Sequence, residues 1–325
     1  MGKKNRKMLS PLQSEIVKEN ENRQSRQPPL ILTSHKEQTI YSPVDGKSHP
    51  IYILVLVRKY VFASTHGWLV LVDMFIRDDC CLWNPSSKEM IKLPVLEDFF
   101  LYKKCVLSKP PTEPDCYILL IADDMLLQAF CKIGDDEFVC PTQVKGVDRL
   151  IAITSFQGKI YGVMSNDYIF GTIEFVGRTM EFRPISINGE QLLKAPVINK
   201  NWVVWNEIDL IGSHTDNSLL FVMKDLAQDS ITDGSEFRVF RFDINRMECI
   251  EVDDIGDQVI LIGYYGTGFC CSSSGTTFKP NSIYYIVKFE SCVHVYDLDD
   301  KSTTSWLPHD VGLKNINHFW IDVKL

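Results

Sequence analysis

Residues 62–94, FASTHGWLVLVDMFIRDDCCLWNPSSKEMIKLP, hold one complete copy of the unit from which the chain is built. Val61 to Thr65 is a short β-branched and aromatic run, and His66-Gly67 is a turn signal before Trp68-Leu69-Val70-Leu71-Val72. A polar break at Arg77 to Asp79 leads to Cys80-Cys81-Leu82-Trp83, which closes on Asn84-Pro85-Ser86-Ser87 before the last run, Met90-Ile91-Lys92-Leu93. Runs of this length, bounded by Gly, Pro, Asn and Asp, read as four strands joined by three turns. Four short antiparallel strands per unit describe a β-propeller blade better than any helical repeat.

Working outward, Leu30-Ile31-Leu32, Thr39-Ile40-Tyr41 and Ile51 to Leu54 resemble only half of such a unit. A second unit follows the first at Lys104 to Leu107, Cys116 to Ile121, Leu127 to Ile133 and Phe138 to Cys140. The third takes in Leu150 to Phe156, Lys159 to Met164, Tyr168 to Phe175 and Met180 to Ile185. The fourth comprises Trp202 to Val204 with Ile208 to Ile211, then Leu219 to Met223, Phe237 to Phe242 and Glu248 to Val252, with Lys224 to Ser235 as an acidic surface excursion. The fifth holds Val259 to Tyr265, Gly268 to Cys271, Ile283 to Val287, Cys292 to Tyr296 and Thr304 to Leu307. A final strand, Asn317 to Ile321, has no partner after it.

The half-unit at Leu30 to Leu54 and the strand at Phe319 each lack what the other supplies, so pairing them would close a ring and remove its exposed sheet edges. The expectation is a single all-β propeller over residues 28–325 with six four-stranded antiparallel blades, seven remaining open because the spacing is irregular. Residues 1–27, rich in Lys, Arg, Glu, Asn and Gln, read as a mobile basic tail.

Composition narrows the classes of function. The 325 residues carry 34 basic and 42 acidic side chains, a net charge of −8, so no global basic field exists to gather nucleic acid or a membrane surface. No apolar run approaches membrane-spanning length, and Met1 to Met8 is followed by no apolar segment of the secretory type. The ten cysteines include the adjacent pairs Cys80-Cys81 and Cys270-Cys271 but no C-x-x-C spacing, which reads as buried apolar side chains in a reducing compartment. Asn84-Pro85-Ser86 is barred from glycosylation by its proline. Nucleus or cytoplasm is the expected location.

No catalytic, metal-binding or cofactor-binding residue stands out. The pairs Asp78-Asp79, Asp123-Asp124, Asp135-Asp136, Asp253-Asp254 and Asp299-Asp300 fall at expected turns, where Asp is favoured for backbone reasons. Seven dispersed histidines include no H-x-H or H-x-x-x-H; His66 precedes a turn and His294 alternates within a strand. Gly266-Thr267-Gly268 lacks the third glycine and the following helix of a dinucleotide site. Ser272 to Gly275 lacks a nucleophile-elbow pattern.

The strand exits recur. Tyr41-Ser42-Pro43, Trp83-Asn84-Pro85, Phe242-Asp243-Ile244 and Tyr296-Asp297-Leu298 each place an aromatic before a Ser, Asn or Asp able to nucleate a turn. With His66-Gly67-Trp68-Leu69, Phe237 to Arg241, Val252 to Gly256 and Pro280 to Tyr284, the ordered set resembles the plant F-box-associated β-propeller family called domain of unknown function 295. That resemblance implies a non-enzymatic protein-binding module like the substrate receptor of an SCF-type ubiquitin ligase, its partner held by loops on one face. Residues 1–27 have neither the length nor the apolar periodicity of an F-box, so binding of a Skp1-type adaptor is not expected of them. The alternative is a glycan-processing hydrolase with carboxylates converging at one mouth of the channel.

Overall fold

The computed structural model describes residues 30–33, 38–42, 47–75, 79–96, 102–122, 128–140, 150–165, 168–187, 207–213, 217–225, 236–264, 268–287, 292–306 and 317–320. The tail at 1–27 and the strand expected at Trp202 to Val204 lie outside these residues.

The unit that opens the sequence reading folds as expected. β4 (Lys59–Ala63), β5 (Leu69–Asp73), β6 (Cys80–Trp83) and β7 (Met90–Lys92) form one antiparallel sheet in that order. β1 (Leu30–Thr33), β2 (Gln38–Ser42) and β3 (Lys47–Ile51) are joined by the last strand, β24 (Asn317–Trp320), in the order β24-β1-β2-β3. Leu30 pairs with Trp320 and Ile31 with Phe319, so the two ends of the described chain share a sheet.

β11 (Leu150–Phe156), β12 (Lys159–Met164), β13 (Phe170–Val176) and β14 (Thr179–Pro184) make a third four-stranded sheet. β15 (Glu207–Ser213), β16 (Ser218–Asp225), β17 (Glu236–Asp243) and β18 (Glu248–Val252) make a fourth. Lys224, expected in a surface excursion, is still in β16 and pairs with Glu207.

Two sheets depart from expectation. β8 (Tyr102–Leu107), β9 (Tyr117–Ala122) and β10 (Gln128–Lys132) form a three-stranded sheet, because the expected fourth strand at Phe138 to Cys140 reduces to one bridge between Phe130 and Val139. The other has five strands, in the order β20-β19-β21-β22-β23, from β19 (Gln258–Ile262), β20 (Phe269–Ser272), β21 (Ser282–Ile286), β22 (Val293–Asp297) and β23 (Thr303–Trp306). Here β19 and β21 run parallel. The reason is that β20 folds back on the inner edge of β19 and ends where β19 began, and residues 273–281 then carry the chain across that same end to the other side of β19. Among the described residues, five sheets thus have at least four strands and one has three, rather than six four-stranded sheets. Ile51 to Leu54, expected as strand, is strand only at Ile51; Leu54–Leu56 is a 3-10 turn anchored where Gln38 bonds both the N–H and the carbonyl of Ile53.

Burial follows position within the sheets. β5 and β6 are buried throughout, whereas the outermost strands β3, β7, β14 and β18 are largely exposed. Strands sandwiched between neighbouring sheets bury both faces, so inner strands read as continuous apolar runs and not as alternating ones. The apolar clusters each join two sheets that follow one another. Phe62, Leu82, Leu107 and Leu120 lie between the β4–β7 and β8–β10 sheets, Val106 and Phe130 pack on Ile153 and Ile173, and Phe170 meets Phe221 and Phe242 edge-on at 5.0 Å. In the same way, Val222 and Val239 pack on Ile260 and Ile283, Trp320 and Leu30 on Val259 and Tyr284, and Ile40 with Ile53 on Leu69 and Leu71.

The turn chemistry expected at the strand exits is present at three of the four, the turn after Ser42 lying outside the described residues. Asn84 Oδ1 accepts from the N–H groups of Ser86 and Ser87 at 2.9 and 3.0 Å, Asp243 Oδ1 from Asn245 and Arg246 at 2.8 and 3.1 Å, and Asp297 Oδ1 from Asp299 at 2.9 Å. Each side chain caps its own turn.

Candidate functional site

The sheet registers and inter-sheet bonds define two ends. At the exit end, where β4, β8, β11 and β15 finish, neutral groups tie neighbouring sheets together. Thr65 Oγ1 donates to the Leu107 carbonyl at 3.0 Å and accepts from the Leu107 N–H at 2.9 Å. Ser155 Oγ lies 3.4 Å from both the Ser108 carbonyl and His66 Nε2, Gln157 bonds Asn217, and Ser213 Oγ donates to Gln258 at 3.3 Å. His66 takes a positive φ of 61° in the Thr65–Gly67 turn.

The entry end, where those strands begin, is charged. Consecutive side chains on a regular strand point to opposite faces, but the β8 register shifts between Tyr102 and Lys104. This bulge lets both Lys103 and Lys104 reach the same neighbour. Lys104 Nζ donates to the Ile208 carbonyl at 2.7 Å and to Asp209 Oδ1 at 2.6 Å, and Lys103 Nζ lies 2.9 Å from Glu207 Oε1. Glu207 and Asp209, two apart on β15, share a face. Lys103 also sits 4.9 Å over the Tyr264 ring, and Lys224 4.8 Å over Tyr285.

Lys104 is buried, at 8% exposure, and the pair with Asp209 is almost fully sheltered. Partial burial works to raise the Glu207 carboxyl's pKa, but Lys103, supported by Lys224 and Lys104, outweighs it and holds the pKa below the ordinary value. The Glu207 carboxylate is therefore held as an ion. The space among Lys104, Glu207, Asp209, Tyr264 and Tyr285 is about 30 Å³. That admits roughly one or two waters, against ~300 Å³ or more in small-molecule sites.

Lys59 at the start of β4 extends the charged end: its ammonium lies 3.2 Å from Asp73 and is bonded to Asp79. Burial works to lower its pKa, and the two carboxylates raise it above the ordinary lysine value. Arg58 lies 4.3 Å over the Phe75 ring. Of the large apolar side chains exposed among the described residues, Tyr52, Leu54, Phe75, Val95 and Ile169 are all on segments at this end. Val176 is at the other, and Met90 and Ile250 are on outer strands.

None of this was singled out in the sequence. The signal available was Lys103-Lys104 opening an otherwise apolar strand. Of the acidic pairs, Asp135-Asp136, Asp253-Asp254 and Asp299-Asp300 lie at turns or bends as expected, Asp79 pairs with Lys59, and Asp78, Asp123 and Asp124 lie outside the described residues. Among the described residues no group of three or more His, Cys, Asp or Glu could hold a metal, and no helix is long and apolar enough to cross a membrane.

The model of the KIB1-4 β-propeller family matches residues 40–313. The chain belongs to the KIB1-4 β-propeller family. The match begins within β2 and ends short of β24, so it takes in every described strand except β1, β24 and the start of β2. No curated protein matches this KIB1-4 propeller significantly. Among solved structures, a chain of the nidogen/laminin complex is 7% identical, covering 90% of this chain and 97% of that one with a TM-score of 0.42. TolB from Acinetobacter baumannii is 10% identical over 90% of this chain and 66% of that one, with a TM-score of 0.45. A luciferin-regenerating enzyme is 9% identical over 92% and 95%, with a TM-score of 0.38. Likeness of that order carries no argument about activity or partners.

Proposed function

We propose that this chain is a non-enzymatic protein-interaction propeller that takes its partner at the entry end, in the manner of the substrate-recognition half of plant F-box proteins, and works in the nucleus or cytoplasm. The observation that carries this reading is the gathering of Tyr52, Leu54, Phe75, Val95 and Ile169 at the end that also holds Arg58, Lys59 and the Lys103–Glu207 and Lys104–Asp209 pairs. Exposed aromatics beside an arginine are the composition of protein-binding surfaces, and five of the exposed large apolar side chains among the described residues gather at this end against Val176 at the other. The hydrolase alternative is disfavoured because it needs one carboxyl kept protonated as an acid, whereas Glu207 is held ionised by lysines.

We further read the six sheets as a closed six-bladed ring, the three-stranded sheet serving as a reduced blade. Supporting this are the β1–β24 pairing and the apolar clusters that join each sheet to the next round to the first.

The test is affinity purification from plant cells of the wild-type chain beside a Tyr52→Ser, Leu54→Ser, Phe75→Ala variant and an exit-end Val176→Ser control, each checked for folding by circular dichroism. Partners shared by wild type and control but lost from the triple variant support the reading; partners kept by the triple variant overturn it. Recovery of a Skp1-type adaptor and cullin with the full chain would connect it to ubiquitin ligase work, and specific partners without them would mark a binding module alone.

A further inference from the structure

Cys292, the residue immediately before β22, stands two residues from His294 within that strand, and their side chains meet. Cys292 Sγ lies 3.3 Å from His294 Nε2. The other ring nitrogen, Nδ1, is 2.8 Å from the hydroxyl of Ser305, the residue directly opposite on β23. On the other flank the imidazole stacks on Tyr285, its partner on β21, with ring centroids 5.0 Å apart and planes 21° from parallel. His294 is only 5% exposed, so two neighbouring strands fix the plane of its ring, while Cys292 remains partly open to solvent. Lys224 of β16, above Tyr285, is the charged group packed on this ladder from the adjoining sheet.

A thiol within bonding reach of an imidazole whose far nitrogen is held by a third group is the arrangement that activates a sulfur nucleophile. We infer that Cys292 is a modification site, a thiol that hydrogen peroxide oxidises to the sulfenic acid, with His294 as the base that receives its proton and Ser305 as the positioning residue. When Nδ1–H donates to Ser305 Oγ, the Nε2 lone pair faces the thiol and takes its proton. The thiolate then attacks one peroxide oxygen. The S–O bond forms as the O–O bond breaks, and the departing hydroxide leaves as water with the proton held on His294. Sulfur is oxidised by two electrons and the peroxide is reduced.

Other cysteines of the chain are placed for the opposite behaviour. Cys80, Cys105 and Cys131 are fully buried, and burial pushes the Cys105 thiol up to about 12. Burial likewise carries Cys81 to about 11 and Cys249 to about 12. Such thiols stay protonated and inert at neutral pH. Because β22 begins at the entry end, oxidation of Cys292 would place a polar group beside the surface proposed above to hold a partner; the reactivity itself stands independently of that reading.

The experiment is peroxide treatment of the purified full chain with dimedone present, adducts being timed at each cysteine by mass spectrometry. The exposed Cys140 is the internal reference. An unassisted thiol with a pKa near ~8.5 is only a few per cent ionised at neutral pH, so Cys292 should react roughly ten-fold faster or more. His294→Gln should bring it to the Cys140 rate, Ser305→Ala should slow it, and Ser305→Thr should restore it. If Cys292 in the wild-type chain reacts no faster than Cys140, the inference is overturned, whatever the variants do. A rate unchanged in folded His294→Gln would equally remove His294 from the step.

Discussion

Lys104 on β8 bonds Asp209 on β15 at 2.6 Å, although the two strands belong to sheets separated by the β11–β14 sheet. The same ammonium holds the Ile208 carbonyl, so one side chain spans from one sheet to the next but one at the entry end. Taking away one partner leaves the other charge sheltered and uncompensated. Lys104→Met should therefore cost ~3–5 kcal/mol, as breaking a buried pair does, while Lys104→Met with Asp209→Leu should recover most of it. Urea unfolding of the single and double variants decides this; a double variant as unstable as the single would show that the loss comes from packing and not from the stranded carboxylate.

The reach of the sequence can be judged on these same strands. Runs such as Leu69–Asp73 and Cys80–Trp83 carried their strand character openly, because β-branched and aromatic residues stood between Gly, Pro and Asn turns. The partnership of Leu30 with Trp320 was legible from two half-units that each needed the other. Lys103 and Lys104 acting together was not, since a bulge, which no alternation pattern announces, turns both the same way. The parallel run of β19 beside β21 was hidden for a related reason: sequence proximity favours antiparallel neighbours, and only the path of residues 273–281 across the end of the β19–β20 hairpin brings β21 to the far side of β19. Cys292, His294 and Ser305 meet through strand register, a relation absent from local spacing.

Glu207 supplies a pH signature. Its carboxyl pKa is lowered in the fold, because Lys103 and the lysines behind it outweigh the raising effect of burial. A lowered folded-state pKa means a stabilising contribution that is whole above the unfolded value of ~4.3 and is lost as pH falls through the folded one. The urea midpoint of the wild-type chain should thus drop more steeply below about pH 4.3 than that of Glu207→Gln. Parallel pH profiles for the two would remove Glu207 from the acid transition.

Gly212 on β15 lies against Phe156 of the β11–β14 sheet. A Cβ there would meet Phe156 Cδ2 at 2.4 Å and Cε2 at 3.0 Å, and Phe156 is itself buried at the end of β11. Overfilling of this kind costs ~1–3 kcal/mol. Gly212→Ala should lower the thermal midpoint, and adding Phe156→Leu should return part of the loss. Additive loss in the double variant would show that the ring is not what resists the new methyl group.

Trp320 is the last described residue of β24 and the one on which the union of the chain ends can be tested. It is 2% exposed, pairs with Leu30 in register and meets Phe278 edge-on with ring centroids 5.8 Å apart. Its indole therefore stabilises both the β1–β24 pairing and the packing of this sheet on β19 and β21. Trp320→Ala empties a large buried volume, for which ~3–5 kcal/mol is the usual cost. The second consequence is particular to this place in the fold. Loosening β24 uncovers the N–H and C=O groups of β1, and an unpaired apolar edge invites pairing with another chain. Trp320→Ala should therefore lower the urea midpoint and also increase aggregation on light scattering, whereas Phe221→Ala, equally buried but on a strand paired on both sides, should lower the midpoint alone below the unfolding transition. Equal scattering from the two variants would mean that β24 does not guard the edge of β1.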